Sequence, residues 1–158
     1  MIRILFVCHG NICRSTMAQS YFTWLVSERG LSDLFEIDSA ATSREEIGCG
    51  PHWGTVQALR EHGIPVVPHR ARQMTRSDTA YYDLIIGMDE ENLWNMQRIA
   101  RRDEREKLFL LLEFQEDGTL GPAEEVDDPW YSGDFDATYR DVSRGCEGLL
   151  AYCRKELL

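Results

Sequence analysis

Short apolar runs that alternate with longer amphipathic segments set the strongest limit on how this chain of 158 residues can fold. The four apolar runs lie at positions 2–7, 35–39, 84–88 and 108–112. The amphipathic segments, which are predicted to be helices, occupy positions 14–29, 51–62, 89–102 and 135–157. Apolar strands that alternate with helices are typical of a parallel sheet buried on both faces. We therefore predict an α/β fold, a three-layer sandwich in which a four-stranded, parallel, twisted sheet is flanked by helices on both faces.

The ends of the predicted helices carry their own signals. Pro51 is expected at the first position of its helix, where a missing N–H group costs nothing. Gly30 and Gly63 follow two of the helices as stop signals. Two long loops lie at positions 40–50 and 115–134. Because ligands of open parallel sheets bind beyond the carboxyl ends of the strands, we expect the functional residues in these loops and after the first strand.

The composition argues against two classes of partner. The chain has 27 acidic and 17 basic residues, which gives a formal net charge of −10, and both signs are mixed along its length. Proteins that bind nucleic acid or adsorb to anionic membranes need a basic face, so we expect neither kind of partner. No apolar stretch reaches the roughly 18 residues that a membrane-spanning helix needs.

Length and cysteine content suggest the organisation and the compartment. A chain of 158 residues is predicted to form a single domain over 1–158. Its five cysteines are an odd number without the spacing of a disulfide scaffold, and no targeting segment is visible. Both features favour a cytoplasmic location.

The turn after the first apolar run has the composition of an anion-binding loop. Its sequence is Cys8-His9-Gly10-Asn11-Ile12-Cys13-Arg14-Ser15. Backbone N–H groups in such a turn can point inward around one tetrahedral anion, and the following helix adds its positive end. Gly10 permits a close approach of the backbone, and Asn11 tolerates a left-handed conformation.

The side chains of this turn add chemistry to the anion site. Arg14 supplies a planar fork for two phosphate oxygens. The same positive field favours the thiolate form of Cys8, and Ser15 can donate a hydrogen bond to that thiolate. We therefore predict a phosphate-binding loop, formed by His9 through Ser15, around a nucleophilic Cys8.

Several motifs resemble those of the low-molecular-weight protein tyrosine phosphatases. They span nearly the whole chain and lie at positions 7–15, 37–40, 62–64, 69–73, 88–92 and 127–131. The resemblance implies a four-stranded parallel sheet and the hydrolysis of phosphotyrosine and small aryl phosphates without a metal or other cofactor. It further implies that tyrosine-phosphorylated proteins are the substrates. We expect the protein to be a monomer or a weak dimer.

Hydrolysis of an ester by a thiolate needs an acid that protonates the leaving oxygen. Asp128 is the candidate, because it precedes a stiff proline and two aromatic residues, and because the family's acid is the Asp of an Asp-Pro pair. The resemblance also implies that Trp130 and Tyr131 form a wall for the substrate's ring. Counting from Ser39 places Glu45 on the opposite wall, where family members often carry an aromatic or aliphatic residue. This difference is expected to change which substrates are preferred.

The resemblance implies supporting roles for further residues. Asn11, Ser15, Ser39 and His69 match a hydrogen-bond network that holds the phosphate loop in shape. In the family, the second cysteine of the loop, here Cys13, can form a disulfide with the nucleophile. Packing beneath the loop is the alternative role for Cys13.

Arsenate reduction and zinc binding are the alternative functions for a chain with this loop. Thioredoxin-coupled arsenate reductases share the fold and a similar loop, but they need further redox cysteines near the third strand. No cysteine lies at positions 74–92, and Cys146 and Cys153 fall on one helical stripe with Val142, Leu149 and Leu157, which is typical of core residues. A zinc-binding module could use Cys8, Cys13, Cys49 and His52, whose spacings are acceptable for ligands. That module would leave Arg14 without a role, so no metal site is predicted.

Overall fold

A central parallel sheet organises the molecule. The computed structural model describes residues 1–158. Its strands are β1 (Ile2–Cys8), β2 (Phe35–Ala41), β3 (Leu84–Gly87) and β4 (Leu108–Leu110). They are hydrogen-bonded in the order β2-β1-β3-β4, and all three pairings are parallel. The predicted α/β fold with a four-stranded parallel sheet is confirmed.

Six helices accompany the sheet. They are α1 (Arg14–Glu28), α2 (Trp53–Glu61), α3 (Arg76–Tyr81), α4 (Glu90–Ile99), α5 (Pro129–Ser132) and α6 (Phe135–Glu156). Four of them were predicted from the amphipathic segments; α3 and α5, which have only six and four residues, were not. Segments of one turn or little more show too few repeats for a helical period to be recognised. None of the helices has the length and apolar character needed to cross a bilayer.

Two layers of side chains cover the two faces of the sheet. Ile4 and Phe6 of β1 belong to a core of 26 buried residues that includes apolar residues of α1, α2 and α6. Leu5 and Val7, on the other face of the same strand, pack in a smaller cluster with Met96 of α4. Because neighbouring residues of a strand point to opposite faces, the uniformly apolar run at the start of the chain is explained by burial on both sides.

The ends of α2 and α6 differ from the prediction. His52 caps α2, its Nδ1 accepting a hydrogen bond from the Gly54 N–H group, so Pro51 lies before the helix and not at its first position. The cysteines of α6 are fully buried, as the stripe predicted. Leu157 was assigned to that stripe wrongly, because it follows the last helical residue and is 44% exposed.

The sheet brings the functional loops together at one edge. Cys8 ends β1, which lies between β2 and β3. The next strand in the chain, β2, pairs with one side of β1, and the following strand, β3, pairs with its other side. Parallel sheets bind their ligands at such a switch in strand order. The phosphate loop therefore starts at the centre of the carboxyl edge.

Candidate active site

The turn between β1 and α1 is held in shape by Asn11. Asn11 is the only residue other than glycine with a positive φ, at 60°, and its side chain is fully buried. Its Nδ2 donates hydrogen bonds to Ser15 Oγ at 2.8 Å and to Ser39 Oγ at 2.9 Å. Its Oδ1 accepts from His69 Nε2 at 2.7 Å. The four residues predicted as a network are thus in contact. Both polar side-chain atoms of Asn11 form hydrogen bonds, which fix a backbone conformation that few residues adopt.

Two further contacts extend this network. Asn11 Oδ1 also accepts from the backbone N–H group of Arg72, at 3.2 Å. The hydroxyl group of Ser39 donates to Gln19, a residue of α1 that the sequence analysis did not select. Burial lowers the pKa of His69, although Asp38 lies 3.6 Å from its Nδ1 and acts in the opposite direction. The imidazole that supports Asn11 is therefore neutral at neutral pH.

Cys8 lies at the bottom of a cavity of about 340 Å³. Its Sγ atom is 3.1 Å from Ser15 Oγ, a distance at which the hydroxyl group can donate to the sulfur. The predicted residues that line the cavity are Cys8, His9, Gly10, Ile12, Cys13, Arg14, Glu45, Asp128, Trp130 and Tyr131. The side chains of Asn11 and Ser15, which were predicted among the phosphate-binding residues, lie beneath the loop and not in the cavity.

The guanidinium group of Arg14 connects three parts of the site. Only 3% of the side chain is exposed, and its Nη1 donates to Asp89 Oδ2 at 2.7 Å. Its Nη2 is 3.3 Å from Asp128 Oδ2. Burial opposes the positive charge, but the charge of Cys8 and the two carboxylates outweigh burial, so the pKa of Arg14 is raised. A permanently charged fork thus lies beside both the thiol group and the candidate acid.

Asp128 is placed by the helix that follows it. It caps α5, with its Oδ1 accepting from the Trp130 N–H group at 3.1 Å, and Pro129 occupies the first helical position. The other carboxylate oxygen is then free to face Arg14. Trp130 and Tyr131 project from α5 at the rim of the cavity and are 63% and 87% exposed. The structure therefore brings the predicted acid and the predicted aromatic wall to the predicted nucleophile.

Part of the cavity lining is acidic. Glu45 lines the cavity, and its Oε2 accepts a hydrogen bond from His9 Nε2 at 3.0 Å. Glu46, Glu91 and Asn92 also line the cavity, and the sequence analysis assigned none of them to the site. Glu91 and Asn92 come shortly after β3, and the rule that ligands bind beyond strand ends applies to β3 as it does to β1.

Asp89 precedes α4, a position at which an Asp side chain commonly caps a helix. It caps α4, its Oδ1 accepting from the Asn92 N–H group at 2.8 Å. Its second oxygen binds Arg14, a contact that no local pattern encodes, because the two residues meet only when β1 and β3 pair.

Cys13 shares the cavity with Cys8. Burial, together with the charges of Cys8 and Asp128, raises the pKa of Cys13 to about 12, so this side chain is a thiol at neutral pH. Its carbonyl group accepts a hydrogen bond from the hydroxyl group of Thr55 in α2, at 3.2 Å.

The remaining cysteines do not form a second site. Cys146 and Cys153 are buried in the core on α6, where they face apolar residues. No group of three or more His, Cys, Asp or Glu side chains is arranged to hold a metal ion, so Cys8, Cys13 and Cys49 do not converge with His52 as a zinc site requires.

Comparison with known proteins agrees with this geometry. Residues 3–157 match the model of the low molecular weight phosphotyrosine protein phosphatase family. The low molecular weight protein-tyrosine-phosphatase YfkJ of Bacillus subtilis is 40% identical over 156 residues, which cover 99% of this chain and 98% of YfkJ. The human low molecular weight phosphotyrosine protein phosphatase is 38% identical over 153 residues, which cover 93% and 92% of the two chains.

Solved structures give the same result for the fold. The crystal structure of YfkJ has a TM-score of 0.93 with this chain at 39% identity and covers 100% of this chain and 98% of its own. A protein tyrosine phosphatase from Entamoeba histolytica has a TM-score of 0.90 at 26% identity, with complete coverage of both chains.

The lowered pKa of His69 predicts how the stability of the loop depends on pH. A folded-state pKa below the ordinary value of about 6.5 means that the folded protein binds the proton less readily than the unfolded chain. The stabilisation by His69 is therefore complete above about pH 6.5 and is lost as the pH falls through the folded-state pKa.

Chemical denaturation of the wild type and of His69→Gln, at neutral and at mildly acidic pH, measures this effect. We expect the difference in free energy of unfolding between the two proteins to shrink as the pH falls. The carboxylates that titrate in both proteins cancel in this difference. A difference that is independent of pH would contradict the assignment of a neutral His69.

Proposed function

The chain belongs to the low molecular weight phosphotyrosine protein phosphatase family, and we propose that it hydrolyses phosphotyrosine in proteins, and small aryl phosphates, through a phosphocysteine on Cys8. The observation that carries this proposal is the meeting of Cys8, Arg14 and Asp128 in one cavity. A nucleophile, a phosphate ligand and an acid are the three groups that such a reaction requires. Tyrosine-phosphorylated proteins are the proposed partners, in the cytoplasm.

In the first step, the Cys8 thiolate attacks phosphorus opposite the leaving oxygen. The S–P bond forms as the P–O ester bond breaks, and the protonated carboxyl group of Asp128 gives its proton to the departing phenoxide. Ser15, 3.1 Å from the sulfur, donates a hydrogen bond to the thiolate before attack. Arg14 and the backbone N–H groups of the loop bind the equatorial oxygens, whose charge they stabilise most strongly in the transition state.

In the second step, water releases the phosphate. The Asp128 carboxylate takes a proton from a water molecule, whose oxygen forms a bond to phosphorus as the S–P bond breaks. Cys8 leaves as a thiolate and Asp128 is protonated again, so the enzyme returns to its starting state. Both steps balance with the groups of the chain and water.

Asp89 has a supporting role in this proposal. Its 2.7 Å contact with Nη1 holds one side of the Arg14 guanidinium group, which leaves other N–H groups free for phosphate. The weaker 3.3 Å contact between Arg14 and Asp128 keeps the acid near the phosphate. Asp89 therefore orients the fork without serving as the acid.

The residues around the cavity favour a particular substrate class. Trp130 and Tyr131 offer exposed rings to the phenyl group of phosphotyrosine, while Glu45, Glu46 and Glu91 add negative charge to the rim. The phosphate itself is anionic and is bound by the loop and its single arginine. We propose that basic side chains next to the phosphotyrosine improve binding, because they meet these carboxylates.

Cys13 is proposed as the redox partner of Cys8. Hydrogen peroxide would oxidise the Cys8 thiolate to a sulfenic acid and release hydroxide, and the Cys13 thiol would then displace that hydroxyl group as water while the S–S bond forms. The raised pKa of Cys13 keeps it protonated until that step, so it does not compete with Cys8 for phosphate esters.

Two substitutions test the catalytic assignment. Cys8→Ser is expected to abolish hydrolysis of phosphotyrosine and of aryl phosphates. Asp128→Asn is expected to lower kcat/KM for phosphotyrosine by about 10²–10⁴-fold, and to lower it much less for dinitrophenyl phosphate, whose leaving group needs no proton. Activity retained by Cys8→Ser would contradict the mechanism. So would a loss in Asp128→Asn that is equally large for phosphotyrosine and for dinitrophenyl phosphate.

Charge removal at the rim tests the substrate preference. Glu45→Gln and Glu91→Gln are each expected to reduce, by about twofold to fivefold, the ratio of kcat/KM for a lysine-flanked over a glutamate-flanked phosphotyrosine peptide. The matched control is Glu106→Gln, which removes an exposed charge outside the cavity. An unchanged ratio in both rim variants would contradict the preference for basic neighbours.

Mass spectrometry after peroxide treatment tests the role of Cys13. The wild type is expected to form a Cys8–Cys13 disulfide and to regain activity when a thiol reductant is added. Cys13→Ser is expected to form sulfonic acid at Cys8 and to stay inactive. Equal recovery of both proteins would assign Cys13 to packing alone.

A further inference from the structure

His52 contacts both the phosphate loop and the segment that carries Asp128. Its backbone N–H group donates to the carbonyl oxygen of Ile12, at 2.8 Å, and so joins the N-terminal end of α2 to the phosphate loop. Its Nδ1 accepts from the Gly54 N–H group at 3.0 Å, which caps α2 and holds the ring in one orientation. The ring therefore has a fixed position relative to the phosphate loop.

The faces and edges of the same ring contact the opposite side of the site. The ring stacks on Phe135, the first residue of α6, with centroids 5.1 Å apart and planes inclined by 19°. It meets Trp130 of α5 edge-on, with centroids 6.5 Å apart and an angle of 83°. Gly54 makes this approach possible, because a Cβ atom there would lie 2.4 Å from Phe135 Cε2.

Several other contacts also set the position of Asp128 relative to the phosphate loop, including the 3.3 Å contact of its Oδ2 with Arg14 Nη2 and the hydrogen bond from the Asp127 N–H group to Asp141 Oδ2 at 3.0 Å. The segment from Asp127 is tied to α6, where Thr138 Oγ1 donates to the Asp127 carbonyl oxygen at 3.0 Å. The helix-cap hydrogen bond joins Asp128 Oδ1 to the Trp130 N–H group. Trp130 is 63% exposed, and the edge-on contact with His52 is an aromatic contact that joins it to the start of α2.

We propose that His52 is a positioning residue that acts through Trp130 and Phe135 to place Asp128 for proton transfer to the leaving group. The inference rests on the proposed function, since it assumes that Asp128 is the acid. The ring of His52 takes no part in the chemistry itself. Displacement of a catalytic group by about 1 Å can cost on the order of 10²-fold in rate, so a loosened contact here is enough to be measured.

Two substitutions separate the ring of His52 from its capping role. His52→Asp keeps a side chain that caps helices well but removes the aromatic contacts. His52→Phe keeps a ring of similar size for Phe135 and Trp130 but removes the cap. A purely structural role at the start of α2 would make His52→Phe the more damaged variant, whereas positioning of Asp128 makes His52→Asp the more damaged one.

The readout is the dependence of kcat/KM on the leaving group. For phenyl phosphate, whose leaving group needs a proton, we expect His52→Asp to lose about tenfold and His52→Phe to stay within about threefold of the wild type. For dinitrophenyl phosphate we expect both variants to stay within about threefold of the wild type. The inhibition constant of inorganic phosphate should not change, because the phosphate loop is intact.

Each other outcome overturns the proposal. If His52→Asp matches the wild type on phenyl phosphate, His52 does not position the acid. The same conclusion follows if kcat/KM of His52→Asp falls equally for both substrates, or if His52→Asp is no more impaired than His52→Phe. Phe135→Leu removes the stacking partner from the other side and should show the same selective loss, which keeps the test decisive if His52→Asp folds poorly.

Asp128→Asn, measured in parallel, separates this inference from the proposed function. If Asp128→Asn shows the selective loss on phenyl phosphate and His52→Asp does not, only the role of His52 is wrong. If Asp128→Asn itself shows no selectivity for the leaving group, the acid assignment fails.

Discussion

The arrangement of the site depends on the ion pairs that the buried guanidinium group of Arg14 forms. A charge that is almost completely removed from water needs partners of opposite charge, and Asp89 and Asp128 supply them from the ends of two different segments. The same group faces Cys8, whose charge further favours the cation. One side chain thus draws the turn after β1, the start of α4 and the acid segment toward a single point.

The phosphate loop itself is maintained by a different kind of contact. Asn11 has a positive φ and is held by neutral hydrogen bonds to Ser15, Ser39 and His69. Burial lowers the pKa of His69, so the side chains that hold Asn11 are neutral. The positive field at the anion site therefore comes from Arg14, the backbone N–H groups and the helix end, which lie on the cavity side.

Local sequence was sufficient for much of the fold and for the centre of the site. The apolar runs predicted four strands because burial on both faces leaves an uninterrupted pattern, and the spacing of Cys8 and Arg14 defines a loop without reference to the rest of the chain. Asp128 was predicted as the acid because Pro129 and two aromatic residues follow it and because the family's acid is the Asp of an Asp-Pro pair. The arrangement of these groups in one cavity agrees with the expectation from parallel sheets.

Contacts between distant segments were not predictable in the same way. The pairing of Asp89 with Arg14 depends on the neighbouring positions of β1 and β3, and the stacking of His52 on Phe135 depends on where α6 begins. The start of α2 was predicted at Pro51, whereas His52 caps the helix and Trp53 is its first residue. Glu91 was missed because 27 acidic residues give no reason to choose one of them.

The central position of β1 has a consequence for how the molecule forms. The strand that ends in Cys8 pairs with Phe35–Ala41 on one side and with Leu84–Gly87 on the other, and the acid arrives from still farther along the chain. Contacts of such long sequence separation form late and slowly in folding, because a large loop must be closed for each of them. Recovery of catalytic activity during refolding should therefore follow the recovery of helical structure, and would report on completion of the native state.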